Sequence, residues 1–179
     1  AQAWGAIMRR YPNALCVSGT HGKTTTSSMC AHIFMAAEKD PTVMIGGTLP
    51  LFHSGYHVGH GDTIILESCE YCNSFLSFFP TIAVILNIEA DHLDFFKDLE
   101  DVEHSFRAFA DRVPAGGLIV ANCEDANTMA TLVGETRPML TFGVERGDVH
   151  AANLVFDHGF GQFDVLYHDA CYAHVKLSV

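Results

Sequence analysis

Basic residues are scarce in this sequence. Ten Lys plus Arg stand against 21 Asp plus Glu, a formal net charge of −11 over 179 residues. Nucleic acid and anionic membranes both require a broad basic face, so neither is expected as a partner. That balance still permits a small local phosphate site. Long apolar runs are lacking too: the longest, Phe75 to Leu86, is broken by Pro80 and is too short to cross a bilayer. No cleavable leader pattern is visible at the N-terminal end. Repeats and low-complexity tracts are missing. With 49% hydrophobic and 17% charged residues, the composition excludes a disordered chain or a coiled coil. A disulfide framework is missing as well. Cys16, Cys30, Cys69, Cys72, Cys123 and Cys171 follow no framework spacing, and four of them fall in apolar runs where a free thiol acts as a small hydrophobe. The expected location is cytoplasmic. Cys69 and Cys72 have the spacing of a zinc or redox half-site, but no second pair accompanies them.

What is present is the pattern of one compact α/β domain, long enough to bury roughly 70% of its unfolded surface without staples. Ala1 to Arg10 reads as a short helix with Trp4, Ile7 and Met8 on one side, broken at Pro12-Asn13. Ala14 to Val17, Thr42 to Ile45, Thr63 to Leu66, Ile82 to Leu86 and Leu118 to Val120 are short unalternating apolar runs, the signature of parallel strands buried on both faces. Helical stretches separate several of them. One follows Lys23, with Met29, Ile33 and Phe34 spaced for a buried face. Another runs from Leu99 to about Val113 behind an Asp98 cap, with Val102, Phe106 and Phe109 inward. A third, behind Asp125, reaches Gly134. This alternation implies a mainly parallel sheet flanked by helices. His53, His57 and His60 lie among glycines and read as a mobile loop facing substrate rather than a metal-binding helix. Ala152 to Phe156, Phe160 to Leu166 and Tyr172 to Val179 are β-like runs with turns between them, expected as an antiparallel extension. A start at Ala1 inside a helix-like run and a stop inside a strand-like run suggest an excised piece.

Gly19-Thr20-His21-Gly22-Lys23-Thr24-Thr25 joins a buried strand to a helix. There, backbone N–H groups converge on phosphate oxygens, and the helix N-terminus adds about half a positive charge. Lys23 can reach β- and γ-phosphates, and Thr24 is placed for Mg²⁺. Val17 stands where the longer GxxxxGK[ST] motif has its first Gly, so the match is to the shorter G-x-x-G-K-T. A divalent ion wants hard oxygen ligands from a neighbouring strand end. Thr63 to Leu66 delivers Glu67, with Glu70 a turn later, and Ile82 to Leu86 delivers Asn87 and then His92. Carboxyl ends of parallel strands share one rim, so Glu67, Asn87 and His92 should gather near the loop. The competing reading makes Glu67 and Glu70 solvated carboxylates and His92 a helix cap.

Four ordered blocks carry a resemblance: the loop from Gly19 to Thr25; Gly46-Gly47; Glu67-Ser-Cys-Glu-Tyr71 with Ser74-Phe-Leu76; and Asn87-Ile-Glu-Ala-Asp-His-Leu-Asp94. Together they resemble the central ATPase domain of the Mur ligases, which build the peptidoglycan precursor, and within them the branch that joins L-alanine to UDP-N-acetylmuramate. His21 in the loop favours that branch. So does Phe109, where several other branches carry a modified lysine. The resemblance implies ATP and Mg²⁺ as cofactors. It implies Gly19, Thr20, His21, Gly22, Lys23, Thr24, Thr25 and Asn87 as nucleotide-binding residues, Lys23, Glu67 and His92 as catalytic, and Thr24, Glu67 and His92 as metal-holding. It also implies that residues 1–179 are one domain, truncated at its C-terminal end, whose partners are flanking UDP-sugar and amino-acid domains; such a piece would bind nucleotide weakly and not ligate alone. A recycling ligase that attaches a tripeptide to the same sugar nucleotide, a phosphotransferase or NTPase without ligation, and a non-catalytic nucleotide-binding module are the alternatives.

Overall fold

The computed structural model describes residues 1–177. Along the chain run α1 (Gln2–Met8), β1 (Asn13–Ser18), α2 (Lys23–Ala36), β2 (Thr42–Leu49), β3 (Ser54–His57) and β4 (Thr63–Glu67). A 3-10 segment (Tyr71–Ser77) leads to β5 (Ile82–Ile85), α3 (Leu99–Ala110), β6 (Leu118–Asn122), α4 (Ala126–Thr131) and β7 (Met139–Phe142). The chain then forms β8 (Val149–Asp157), β9 (Phe160–Tyr167) and β10 (Ala170–Lys176). Among the described residues the strands form one sheet in the order β10-β9-β8-β7-β6-β5-β1-β4-β2-β3. From β2 through β8 every neighbouring pair is parallel, β7 and β8 meeting only at Phe142 and Val149. The β2–β3, β8–β9 and β9–β10 pairs are antiparallel. The α/β expectation and the antiparallel C-terminal extension both hold.

Apolar residues on consecutive strand positions serve two cores. Ala14, Cys16, Ile64, Leu66, Ala83 and Ile85 face one side with the α3 phenylalanines; Leu15, Val17, Ile65 and Val84 face the other with Ala31 of α2. That is why those runs do not alternate with polar residues. On the α3 side, Phe75 stacks on Phe109 with centroids 4.6 Å apart and meets Phe106 edge-on at 5.3 Å. Asp98 caps α3 by accepting from the Asp101 N–H, and Asp125 caps α4 by accepting from the Thr128 N–H.

Several local expectations need correction. The buried face of α2 is Ser27 and Ala31, with Cys30 and Phe34 partly covered; Met29 and Ile33 are exposed. Small side chains let the helix lie close to the sheet, which turns the larger ones outward. In α1, Gly5 and Met8 are the buried residues and Ile7 is exposed. A Cβ on Gly5 would run into the Ser77 carbonyl, so the helix approaches along its glycine. The segment around His53 to His60 is not simply a loop. It contains β3, and the Asp40 carboxylate ties His57 and His60 at 2.8 and 3.0 Å. β2 runs four residues beyond the expected Ile45, and β7 had no counterpart in the sequence reading. β10 ends at Lys176, and the last two residues of the expected run to Val179 lie outside the described residues.

Candidate functional site

β1 is where the chain changes direction across the sheet: β4 and β2 lie to one side of it, β5 and β6 to the other. In an open parallel sheet, the carboxyl ends of strands at such a switch point border a crevice. The 19–22 loop leaves β1 at that point. Gly19 (φ +143°) and Gly22 (φ +85°) hold conformations that side-chain-bearing residues rarely adopt, and a Cβ on Gly19 would sit 2.9 Å from the Leu86 Cβ. Gly22 is the N-cap of α2, and no side chain caps that end. The first N–H groups of the helix therefore remain available to an anion. Thr25 is exposed in that first turn.

Asn87 fastens the loop from the β5 side. Its Oδ1 accepts from the His21 N–H at 2.8 Å, and its Nδ2 donates to the His21 carbonyl at 3.1 Å. The Thr20 N–H donates to the Asn87 carbonyl at 2.9 Å, and the Glu89 N–H donates to Thr20 Oγ1 at 2.8 Å. Both ends of the Asn87 amide are engaged by backbone, so here it positions the loop. His21 points outward, 3.7 Å from the Glu89 carboxylate.

Lys23 lies across the loop rather than in solvent. Its ammonium donates to the Gly19 carbonyl at 2.6 Å and the Thr20 carbonyl at 3.0 Å, and pairs with Glu70 at 3.0 Å. The Glu70 side chain is only 2% exposed and that of Lys23 12%, so each needs the other. His92 Nε2 approaches the same carboxylate at 3.7 Å. Residue 92 has φ +53°, and its ring packs on Tyr71 with centroids 4.7 Å apart. The Tyr71 hydroxyl donates to Asp94 at 2.7 Å, and that carboxylate pushes the phenol up to about 12. Tyr71 therefore stays a neutral donor bracing the His92 turn.

Thr24 and Glu67 form the second pair. The Thr24 hydroxyl donates to Glu67 Oε1 at 3.0 Å, while the Gly46 N–H donates to Oε2 at 2.7 Å. A Cβ on Gly46 would meet that carboxylate at 2.9 Å, which gives the glycine at 46 a steric reason. Two oxygens at that separation suit adjacent positions on Mg²⁺, where neighbouring ligands stand about 2.9 Å apart. The hard-oxygen pair beside an uncapped helix N-terminus fits the ion. The structure thus joins Thr24 with Glu67 and Lys23 with Glu70; His92 contacts Glu70 rather than Glu67. Glu70 was not among the expected site residues. The Glu-x-x-Glu spacing was its only signal, and its burial could not be read from that spacing. Burial also pushes the Cys69 thiol up, so it is not an activated thiolate, and the cysteines are free.

This geometry defines an α/β domain with a glycine-turned loop and an uncapped helix N-terminus at its switch point, beside a carboxylate-lined rim. A family model described as Mur ligase middle domain matches residues 17–179, and the chain belongs to that family. It is 43% identical to UDP-N-acetylmuramate--L-alanine ligase of Clostridium botulinum strain Hall over 176 residues, covering 98% of this chain and 38% of that protein. It is likewise 43% identical to the Clostridium novyi protein of that name, covering 100% of this chain and 39% of the relative. The chain thus spans about two-fifths of the length of these relatives. Among solved structures, the UDP-N-acetylmuramate:L-alanyl-gamma-D-glutamyl-meso-diaminopimelate ligase of Neisseria meningitides aligns with TM-score 0.86 at 29% identity, covering 99% of this chain and 59% of that one. The UDP-N-acetylmuramate-alanine ligase MurC of Thermotoga maritima aligns with TM-score 0.81 at 28% identity, covering 97% and 39%. No helix among the described residues is long and apolar enough to cross a membrane.

Proposed function

We propose that this chain is the ATP-handling domain of a ligase that joins L-alanine to UDP-N-acetylmuramate. Residues 1–179 would act as one domain, with sugar-nucleotide and amino-acid binding supplied by flanking domains of the longer protein. The observation that carries this reading is the Thr24–Glu67 oxygen pair at 3.0 Å, set beside the glycine-turned loop and the uncapped start of α2. Relatives at 43% identity bearing that name support the choice of acceptor.

In this reading the loop N–H groups and the α2 N-terminus receive the β- and γ-phosphates. Lys23 shifts part of its charge from Glu70 to the γ-phosphoryl group and stabilises the charge redistributed during transfer. Thr24 and Glu67 would hold Mg²⁺, which when bound supplies charge neutralisation at the phosphates. The carboxylate of UDP-N-acetylmuramate attacks the γ-phosphorus, the bond to ADP breaks, and an acyl phosphate forms. The amine of L-alanine then attacks the acyl carbon, inorganic phosphate leaves, and the nitrogen gives up a proton. Glu70 and the Tyr71-braced His92 keep Lys23 on the loop so that the two anions meet beside a fixed cation.

The test uses the ligase that contains this chain. Steady-state ADP production should require both UDP-N-acetylmuramate and L-alanine, and Lys23→Ala should lower turnover at least a hundredfold, about 2.7 kcal/mol of lost stabilisation. ADP release without the sugar nucleotide would replace the ligase reading with a plain NTPase. The TM-score of 0.86 to the tripeptide-adding ligase favours one second reading, the recycling reaction. Tripeptide used in preference to L-alanine would select it.

A further inference from the structure

At the far edge of the sheet among the described residues, five and six strand positions from β1, a different constellation stands on the β9–β10 hairpin. At about 4.8 Å per strand, that places it on the order of 25–30 Å from the phosphate loop. Asp164 of β9 lies directly opposite His174 of β10, and the His174 Nδ1 is 2.5 Å from Asp164 Oδ1. A carboxylate–imidazole cross-strand pair alone is an ordinary feature of antiparallel sheets. Two irregularities add to it. The β9–β10 register shifts between Cys171 and Ala173, so that Cys171 pairs with Leu166. Without that bulge, Cys171 and His174, three residues apart, would point to opposite faces. With it, both share the face of Asp164, and the thiol, imidazole and carboxylate ligand atoms lie within 4.8 Å of one another. A second shift, on β8, falls between Ala152 and Val155, where Asn153 takes φ +53°. From there the Asn153 Nδ2 donates to the other Asp164 oxygen at 2.7 Å. Bulges re-aim side chains, and here two of them converge on one carboxylate.

We propose that Asp164, Cys171 and His174 form a binding site for a divalent transition-metal ion of the zinc type. One sulfur, one imidazole nitrogen and one carboxylate oxygen make a mixed donor set of borderline softness, which suits Zn²⁺ rather than Mg²⁺ or Ca²⁺. Three protein ligands leave a fourth tetrahedral position for water. Asn153 is the outer partner that orients the carboxylate, as ligand-supporting groups do in metal sites. Bound metal would pin β9 to β10, at a place separate from the Thr24–Glu67 pair.

The experiment is a Co²⁺ titration of the 179-residue chain, kept reduced with a phosphine and followed by absorption. A thiolate-to-cobalt charge-transfer band should saturate at one equivalent and disappear on adding Zn²⁺. Cys171→Ser should abolish the band and Cys72→Ser should leave it. His174→Ala should weaken binding at least tenfold. Asn153→Gly, which tolerates the left-handed backbone, should weaken it about tenfold. Circular dichroism of each variant checks that the exposed substitutions leave the fold intact. No charge-transfer band in the native chain, or a band that survives Cys171→Ser, would overturn the assignment.

Discussion

The parallel block around β1 and the β8–β10 meander are built on different principles. In the block, Cys16, Val17, Ile64, Ile65, Leu66 and Ile85 are fully covered, and the polar contacts join residues far apart in sequence, such as Asn87 with His21 and Glu70 with Lys23. In the meander the pairing is with the next strand, and Phe156 and Tyr172 are 73% and 79% exposed. A phosphate-sized geometry can be held to a fraction of an ångström only by the first kind of region. Local opening should therefore concentrate in the second.

The largest expected effect is Phe109→Ala. Removing a ring stacked on Phe75 in the covered core should cost about 3–5 kcal/mol in denaturant unfolding, whereas Phe156→Ala should stay within about 0.5 kcal/mol. Equal losses at the two sites would erase the contrast. Next comes Asn87→Ala. It strips the His21 backbone of both amide contacts and should cost about 1–3 kcal/mol, together with at least a tenfold loss of nucleotide affinity measured by calorimetry. Gly46→Ala sharpens the comparison further. Its Cβ would press on the Glu67 carboxylate, so the Mg²⁺ dependence of nucleotide binding should weaken several-fold while stability falls by about 1–3 kcal/mol. The smallest effect is at the opposite edge. The His57 side chain, then the His60 N–H and imidazole, hold the Asp40 carboxyl well below its ordinary 3.8. The folded form is the stronger acid, so its contribution is complete above 3.8 and fades as the pH falls below that value. Hydrogen exchange in the β2–β3 hairpin should accelerate there relative to β1, and Asp40→Asn should remove the difference.

Sequence made legible what is decided locally. The buried strands announced themselves as unalternating runs, Asp98 and Asp125 as helix caps, and the loop as glycines ahead of Lys23 and Thr24. The misses share a cause in tertiary contact. The exposed Met29 and Ile33 follow from how close Ala31 and Ser27 bring α2 to the sheet. β7 is a strand because Met139 to Phe142 find Ile119 to Asn122 beside them, not because of any periodicity. Asn87 was expected as a nucleotide contact, yet only the folded chain shows its amide closed on His21. Glu70 stands in the sequence only as a carboxylate one turn beyond Glu67, and its burial against Lys23 exists only in the folded chain.

The measurement that bears most directly on the proposed nucleotide site is calorimetric titration of this chain with a non-hydrolysable ATP analogue, with and without Mg²⁺, beside Lys23→Ala. The expected result is saturable binding at one equivalent, strengthened by Mg²⁺ and lost in the variant. Binding of equal affinity in Lys23→Ala would contradict it and move the nucleotide away from the β1 loop.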